Sequence, residues 1–154
     1  MALKAEDMGS LSFMVRRTWL SMRSAISVEL KEYGLTSPQY ATLLIVAGNP
    51  GCSNSDIARK VASTRQAANE MLTALEGRGL LTRAPNPADR RTQQLHITDA
   101  GSAVLAGAHA AVQRREAELE TGFTDEERAV VRRWCETIGD KCEPGEGGWP
   151  GLGV

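Results

Sequence analysis

The 154-residue chain predicts a mainly α fold with one small β-hairpin, an α+β arrangement. Three observations carry that expectation. Apolar residues recur at steps of three and four through most of the chain, the spacing of one helix face. Several segments open with Ser or Thr three residues ahead of Asp, Gln or Glu. That pattern approximates the capping box, in which two side chains satisfy orphan N–H groups reciprocally. A single stretch, Leu80 to Ile97, changes to strand-like alternation around a Pro-containing, basic turn.

Taken in order, Leu11, Val15, Trp19, Met22, Ile26, Leu30 and Tyr33 share one stripe of a long first helix, Leu11 to Tyr33. Gly34 is its stop, since glycine accepts the left-handed conformation. Pro38 fits the first turn of a second helix capped by Thr36 or Ser37, with Tyr40, Leu43, Leu44 and Ala47 on its apolar face. Ser53 with Asp56 opens a third helix whose Ile57, Ala58 and Val61 point inward. Ser63 with Gln66 opens a fourth, where Ala68, Met71, Leu72 and Leu75 form the i, i+3, i+4, i+7 set. Only Ala62 and Ser63 separate those two helices, which is a helix-turn-helix spacing.

Leu80 to Arg83 reads as a short strand that Pro85-Asn86-Pro87 breaks into a turn. Gln93 to Ile97 alternates as a half-buried strand should. Thr98-Asp99 caps a long helix from about Ala100 to Glu120. Thr124 with Glu127 opens a last helix with Val130, Val131, Trp134 and Ile138 as its stripe. From Gly139 onward Gly and Pro dominate, and the expectation is a disordered tail.

With 42% hydrophobic and 24% charged residues, the chain has globular composition and the length of one domain, or of one domain with an appended dimerisation element. The longest apolar run, Ala41 to Ala47, falls far short of the roughly 20 residues a membrane span needs. Three cysteines provide no even-numbered disulfide framework, and the N-terminus lacks a signal peptide's apolar segment. A cytoplasmic location with reduced thiols is therefore expected, without a membrane partner. No Gly-rich phosphate loop, framed carboxylate pair or metal-ligand spacing is present, so no catalytic, metal or cofactor site is expected. Cys135 and Cys142 do not have a zinc-knuckle spacing. His96 alternates outward on the second strand, and His109 lies mid-helix.

Net charge is −1, but its distribution is uneven. From Thr36 to Gly101 seven basic residues face five acidic ones, whereas acids dominate afterwards, ten against six. A polar-faced helix beside a basic hairpin suits a DNA duplex, with the helix in the major groove and the hairpin in the neighbouring minor groove.

The chain resembles the MarR (multiple antibiotic resistance regulator) family of winged-helix transcription regulators. The likeness covers about Leu11 to Ile138 in element order. It is most specific at Leu75-Glu76-Gly77-Arg78-Gly79-Leu80, and at Asp89-Arg90-Arg91 followed by Ile97-Thr98-Asp99-Ala100-Gly101. The resemblance implies a winged helix-turn-helix flanked by long N- and C-terminal dimerisation helices. The corresponding division is 1–35, N-terminal dimerisation helix; 36–100, DNA-binding lobe; 101–139, C-terminal dimerisation helices; and 140–154, flexible tail. It further implies a homodimeric repressor on a pseudo-palindromic duplex, released by a small aromatic or phenolic effector or by a redox input.

Carried over by residue, Arg91 matches the wing arginine of the minor groove and Asp89 the acid that orients it. A narrow minor groove concentrates negative potential and attracts guanidinium. Arg90 is expected on phosphate. Thr64, Arg65, Gln66 and Asn69 form the expected base-reading edge, because Arg favours guanine and Gln or Asn favours adenine. Ser53 and Ser55, near a helix N-terminus, are candidates for holding a phosphate. Asn69-Glu70 departs from the Thr-Arg that many members carry. Glu70 must face away from phosphates or accept from a cytosine N4. Trp19, Met22 and Tyr40 are candidates for an effector pocket, with plain core or dimer interface as the alternative.

The competing function is a thiol-based redox switch on the same scaffold. It would use Cys52 or the pair Cys135 and Cys142; Cys52, just ahead of a helix N-terminus, is a candidate for a lowered thiol pKa, with a small buried residue as the favoured alternative. Peroxide-sensing members place their reactive cysteine on the first helix, where this chain has none.

Overall fold

The computed structural model describes residues 9–61, 64–89 and 91–142. In chain order they form α1 (Leu11–Lys31), α2 (Ser37–Gly48), α3 (Asn54–Lys60), α4 (Arg65–Gly77), β1 (Leu81–Pro85), β2 (Gln93–Ile97), α5 (Asp99–Leu119) and α6 (Asp125–Cys142). The chain divides into two compact units, Met1–Arg115 and Glu116–Val154, with the boundary inside α5.

In the first unit each helix start is set by a side-chain cap. Ser10 accepts from the Phe13 N–H, and Thr36 rather than Ser37 caps α2 in a full capping box with Gln39. Ser53 and Asp56 form the box that opens α3. The start of α4 differs from expectation: Thr64 is the N-cap and accepts from the Ala67 N–H at 3.0 Å. Ser63, the expected cap, lies outside the described residues. Each such cap contributes about 1 kcal/mol.

The core is one apolar cluster. Leu30 of α1, Leu43 and Val46 of α2, Ile57 of α3, Leu72 and Leu75 of α4, and Leu81 and Leu95 of the strands are fully buried. Burying each large side chain stabilises the fold by about 2 kcal/mol. Ile45 and Val46 are buried while Ala47 is exposed. The apolar run of α2 thus spends its bulkier residues on the core and leaves the smallest to solvent. The α1 stripe has the expected period but is covered only toward its C-terminal end. Leu30 is buried and Ile26 half-buried, whereas Leu11 and Trp19 remain 57% and 54% exposed. Gly34 follows the helix at φ +63°.

β1 and β2 pair antiparallel, with Leu81 opposite Ile97 and Pro85 opposite Gln93. Pro85 is therefore the last residue of β1 rather than part of the turn, a position where a residue without N–H is tolerated. On the other side of β2, Gly51 donates to the Leu95 carbonyl at 2.8 Å, Leu95 donates to the Cys52 carbonyl at 2.9 Å, and Ser53 bridges Gln94. The entry to α3 is thus also hydrogen-bonded to the hairpin.

In the second unit, Thr124 and Glu127 form the expected capping box of α6, at 2.9 and 3.2 Å. The helix continues through Gly139 to Cys142, beyond the point where a tail was expected. Val130 and Val131 are 53% and 59% exposed, and no residue of α6 is buried.

Candidate nucleic-acid interface

α4 presents two unlike faces. Ala68, Leu72 and Leu75 are buried, whereas Thr64, Arg65, Gln66 and Asn69 are all exposed. Gln66 lies roughly opposite the buried stripe, whereas Arg65 and Asn69 flank it on one side and Thr64 caps the helix.

Three of these side chains are already engaged inside the protein, Thr64 through the cap it forms with the Ala67 N–H. Gln66 Nε2 donates to Glu70 Oε1 at 3.0 Å. Asn69 Oδ1 accepts from Arg83 at 2.9 Å, and the same guanidinium donates to Thr73 Oγ1, also at 2.9 Å. Arg83 Nε lies 3.1 Å from Glu76 Oε2, an ion pair whose angle does not make a hydrogen bond. One arginine of β1 therefore grips three positions along α4 and ties the wing to the helix. It is only 12% exposed.

Arg83 was not singled out from the sequence, although a signal was there. Side chains alternate along a strand, so Arg83 shares the face of Leu81, which is buried. A guanidinium on the inward face must find acceptors, and the polar edge of α4 supplies them. Arg78 has a comparable structural role: it donates to the Gly34 and Tyr33 carbonyls at 2.6 and 3.1 Å, joining the end of α4 to the end of α1.

At the wing tip, the Asp89 carboxylate accepts from the Arg91 backbone N–H at 3.0 Å. Asn86 and Thr92 close the turn through a backbone bond at 3.0 Å and a side-chain bond at 3.1 Å. Asp89 thus holds Arg91 through the main chain, while the Arg91 residue stays exposed. Arg90 lies outside the described residues.

At α3, Ser53 is committed to the cap. Its N–H and hydroxyl each donate to Asp56 Oδ2 at 2.8 Å. The backbone N–H of Ser53 is the main cause that holds the Asp56 carboxyl below the usual carboxylate range, and Arg59 at 2.8 Å adds to it. A phosphate approaching Ser53 would therefore meet a carboxylate. Ser55, in the first turn, is exposed.

The expected effector residues are differently placed. Trp19 is exposed and lies under the Arg23 guanidinium, 5.2 Å from the ring centre. Met22 is half-buried. The Tyr40 hydroxyl is 2.7 Å from His109 Nδ1, with the two rings stacked at 6.3 Å. His109 thus has an aromatic partner. Among the described residues no group of three or more His, Cys, Asp or Glu is arranged to hold a metal, and no helix is long and apolar enough to cross a membrane.

Of the two readings of Cys52, the lowered thiol pKa is the one the surroundings oppose. Burial pushes the thiol up to about 11, and the nearby Asp56 carboxylate adds to the shift. The box that caps α3 places a negative charge where an uncapped helix end would have offered a positive one. Cys135 and Cys142 are exposed, and all three thiols are free.

Known proteins share both the sequence pattern and the geometry. The sequence profile of the MarR family matches residues 35–92. The chain is 32% identical over 124 residues to a protein assigned to regulation of the hcr operon in Thauera aromatica, covering 80% of this chain and 75% of that one. The structure superposes on the transcriptional repressor CouR bound to a 23-mer DNA duplex with a TM-score of 0.80. That pair is 33% identical, over 90% of this chain and 99% of the repressor. It also superposes on the Mycobacterium tuberculosis MarR family protein Rv2887 in complex with salicylic acid, with a TM-score of 0.72 and 28% identity, covering 87% and 99% of the two chains. These relatives are transcription regulators, not enzymes. A helix-turn-helix with a two-stranded wing and this breadth of similarity together establish that the chain belongs to the MarR family of winged-helix transcription regulators.

Proposed function

We propose that the protein is a homodimeric repressor that places α4 in the major groove and the β1–β2 turn in the adjacent minor groove of a pseudo-palindromic operator. The observation that carries this reading is the exposed edge Thr64, Arg65, Gln66 and Asn69, tied through Arg83 to the hairpin that bears Arg91. A rigid link between helix and wing lets both engage neighbouring grooves in one register. Arg91, positioned by Asp89, is the minor-groove contact, and Arg90 and Ser55 are phosphate contacts, with Ser53 contributing through the cap it forms. A solved relative bound to a DNA duplex supports the reading.

The exposed apolar side chains of α1 and α6 support self-association. Leu11, Val15 and Trp19 on one helix, and Val130 and Val131 on the other, leave surface that a monomer rarely exposes in continuous stripes. A small aromatic acid is the proposed effector, supported by the salicylic acid complex of a relative. Trp19, Met22 and Tyr40 are its candidate contacts. Cytoplasmic action follows from the same role.

A gel-shift titration with the DNA upstream of the protein's own gene tests this reading. Tight binding with a steep fall in affinity as salt rises is expected, because displaced counterions dominate such binding. Addition of salicylate should release the duplex. Equal affinity for that DNA and for a scrambled duplex would refute sequence-specific regulation.

A further inference from the structure

We infer that hydrogen bonds internal to the protein preset which base edges α4 can read: Arg83 makes Asn69 a donor toward the groove, and Glu70 makes Gln66 an acceptor. The inference rests on the proposed placement of α4 in the major groove and adds the polarity of each contact.

The orientation of both amides is dictated by chemistry. Arginine has only donors, so the atom of Asn69 facing Arg83 at 2.9 Å must be the carbonyl oxygen. An ionised carboxylate only accepts, so the atom of Gln66 facing Glu70 at 3.0 Å must be the NH2. Asn69 therefore keeps its NH2 for the outside, and Gln66 keeps its carbonyl. Both residues are exposed.

Free asparagine suits adenine, since its oxygen accepts from N6 while its NH2 donates to N7. With the oxygen turned to β1, Asn69 cannot lie flat against that edge and engage both atoms. It is left with a donor, which fits the paired acceptors N7 and O6 of guanine, meets only one acceptor on adenine (N7) or thymine (O4), and has no partner on cytosine. Gln66 turns its carbonyl outward beside the Glu70 carboxylate, so the pair presents chiefly acceptors toward the groove, with one amide hydrogen left over. The acceptors fit the exocyclic amine of cytosine or adenine. The negative charge of Glu70 then serves recognition of an amine. Arg83 is a positioning residue: it acts on the base through Asn69 and is not itself placed against DNA.

Selection of full-length protein against a randomised duplex library, followed by sequencing of the bound fraction, tests the inference. Wild type should enrich a motif with guanine favoured about fivefold or more at the base facing Asn69, and cytosine or adenine at the base facing Gln66. Arg83→Met removes every donor while keeping an unbranched stem. It should raise adenine at the Asn69 base to at least parity with guanine and leave the Gln66 base unchanged. A merely structural arginine would lower affinity for all sequences alike and leave the base preference as it was. Should Arg83→Met not fold, Asn69→Asp supplies the same readout on the exposed face. Its second carboxylate oxygen turns outward, and guanine should give way to cytosine. An unchanged preference in the folded variant overturns the inference and leaves the proposed function standing. Failure of wild type to enrich any motif overturns both.

Discussion

Gly101 lies directly under the carbonyl of Leu80, so close that a Cβ on Gly101 would collide with that oxygen and come within 2.8 Å of Ile97. Three hydrogen bonds fix the approach. Thr98 donates from its N–H to the Leu80 carbonyl at 3.2 Å and from its hydroxyl to the Gly79 carbonyl at 2.6 Å. The Gly101 N–H donates back to Thr98 Oγ1 at 2.9 Å. The Thr98-x-x-Gly101 pattern therefore joins the start of α5 to the start of the hairpin.

Gly101→Ala tests that contact with a defined sign. In an exposed helix, Ala would stabilise by about 1 kcal/mol over Gly. Here the obstructing atom belongs to the backbone and cannot rotate away, so overpacking at about 2–3 kcal/mol should win. The urea midpoint should fall by the corresponding amount. A midpoint equal to or above wild type would mean that the strand gives way at little cost.

Arg91→Ala should weaken operator binding by about tenfold or more and lower the salt slope of log K by roughly one, since one cationic contact is lost. Because Asp89 holds Arg91 through its backbone N–H, Asp89→Ala should loosen the turn and produce a smaller loss with the guanidinium still present. Fluorescence anisotropy on a labelled duplex across a salt series measures both. Unchanged affinity in Arg91→Ala would remove the wing from the interface.

The thiols should separate by reactivity. With its pKa at about 11, Cys52 is protonated at neutral pH and should resist iodoacetamide and mild peroxide, while the exposed Cys135 and Cys142 react first. The pH dependence has a definite sign. The folded state holds the Cys52 proton more tightly than the unfolded chain, whose thiol ionises near 9.0. No difference arises below about pH 9, and stability falls as pH rises from there toward 11. Cys52→Ala should flatten that alkaline decline. Mass spectrometry and denaturation at pH 7, 9 and 10.5 are the measurements, and preferential labelling of Cys52 at pH 7 would restore the redox alternative.

Val131→Glu should shift the protein toward monomer without unfolding it. Val131 is 59% exposed in the single chain, so the charge costs little until a partner covers it. A loss of about 1.4 kcal/mol at the interface raises the dimer Kd tenfold. Sedimentation velocity across a dilution series reads this directly. An unchanged association constant would place the dimer contact elsewhere.

The sequence alone determined the element order, the presence of a hairpin with Asp89-Arg90-Arg91 in its turn and most of the caps, because those depend on neighbours within four or five residues. The Ser53–Asp56 and Thr124–Glu127 boxes, the step from period 3.6 to period 2 at Leu80, and the Asp89–Arg91 turn are all local. The α1 stripe was equally legible as a period. Whether it met a partner was not, because exposure of Leu11 and Trp19 depends on what lies opposite them.

Tertiary structure decided the remainder. Arg83 and Asn69 are fourteen residues apart, and only the packing of β1 along α4 brings them to 2.9 Å. The Cys52 thiol is shifted by burial and by the position of Asp56, so a helix N-terminus nearby was an incomplete guide. Tyr40 meets His109 across sixty-nine residues. Spacing places a side chain on a face, but its hydrogen-bond partner and its protonation depend on the elements that face it.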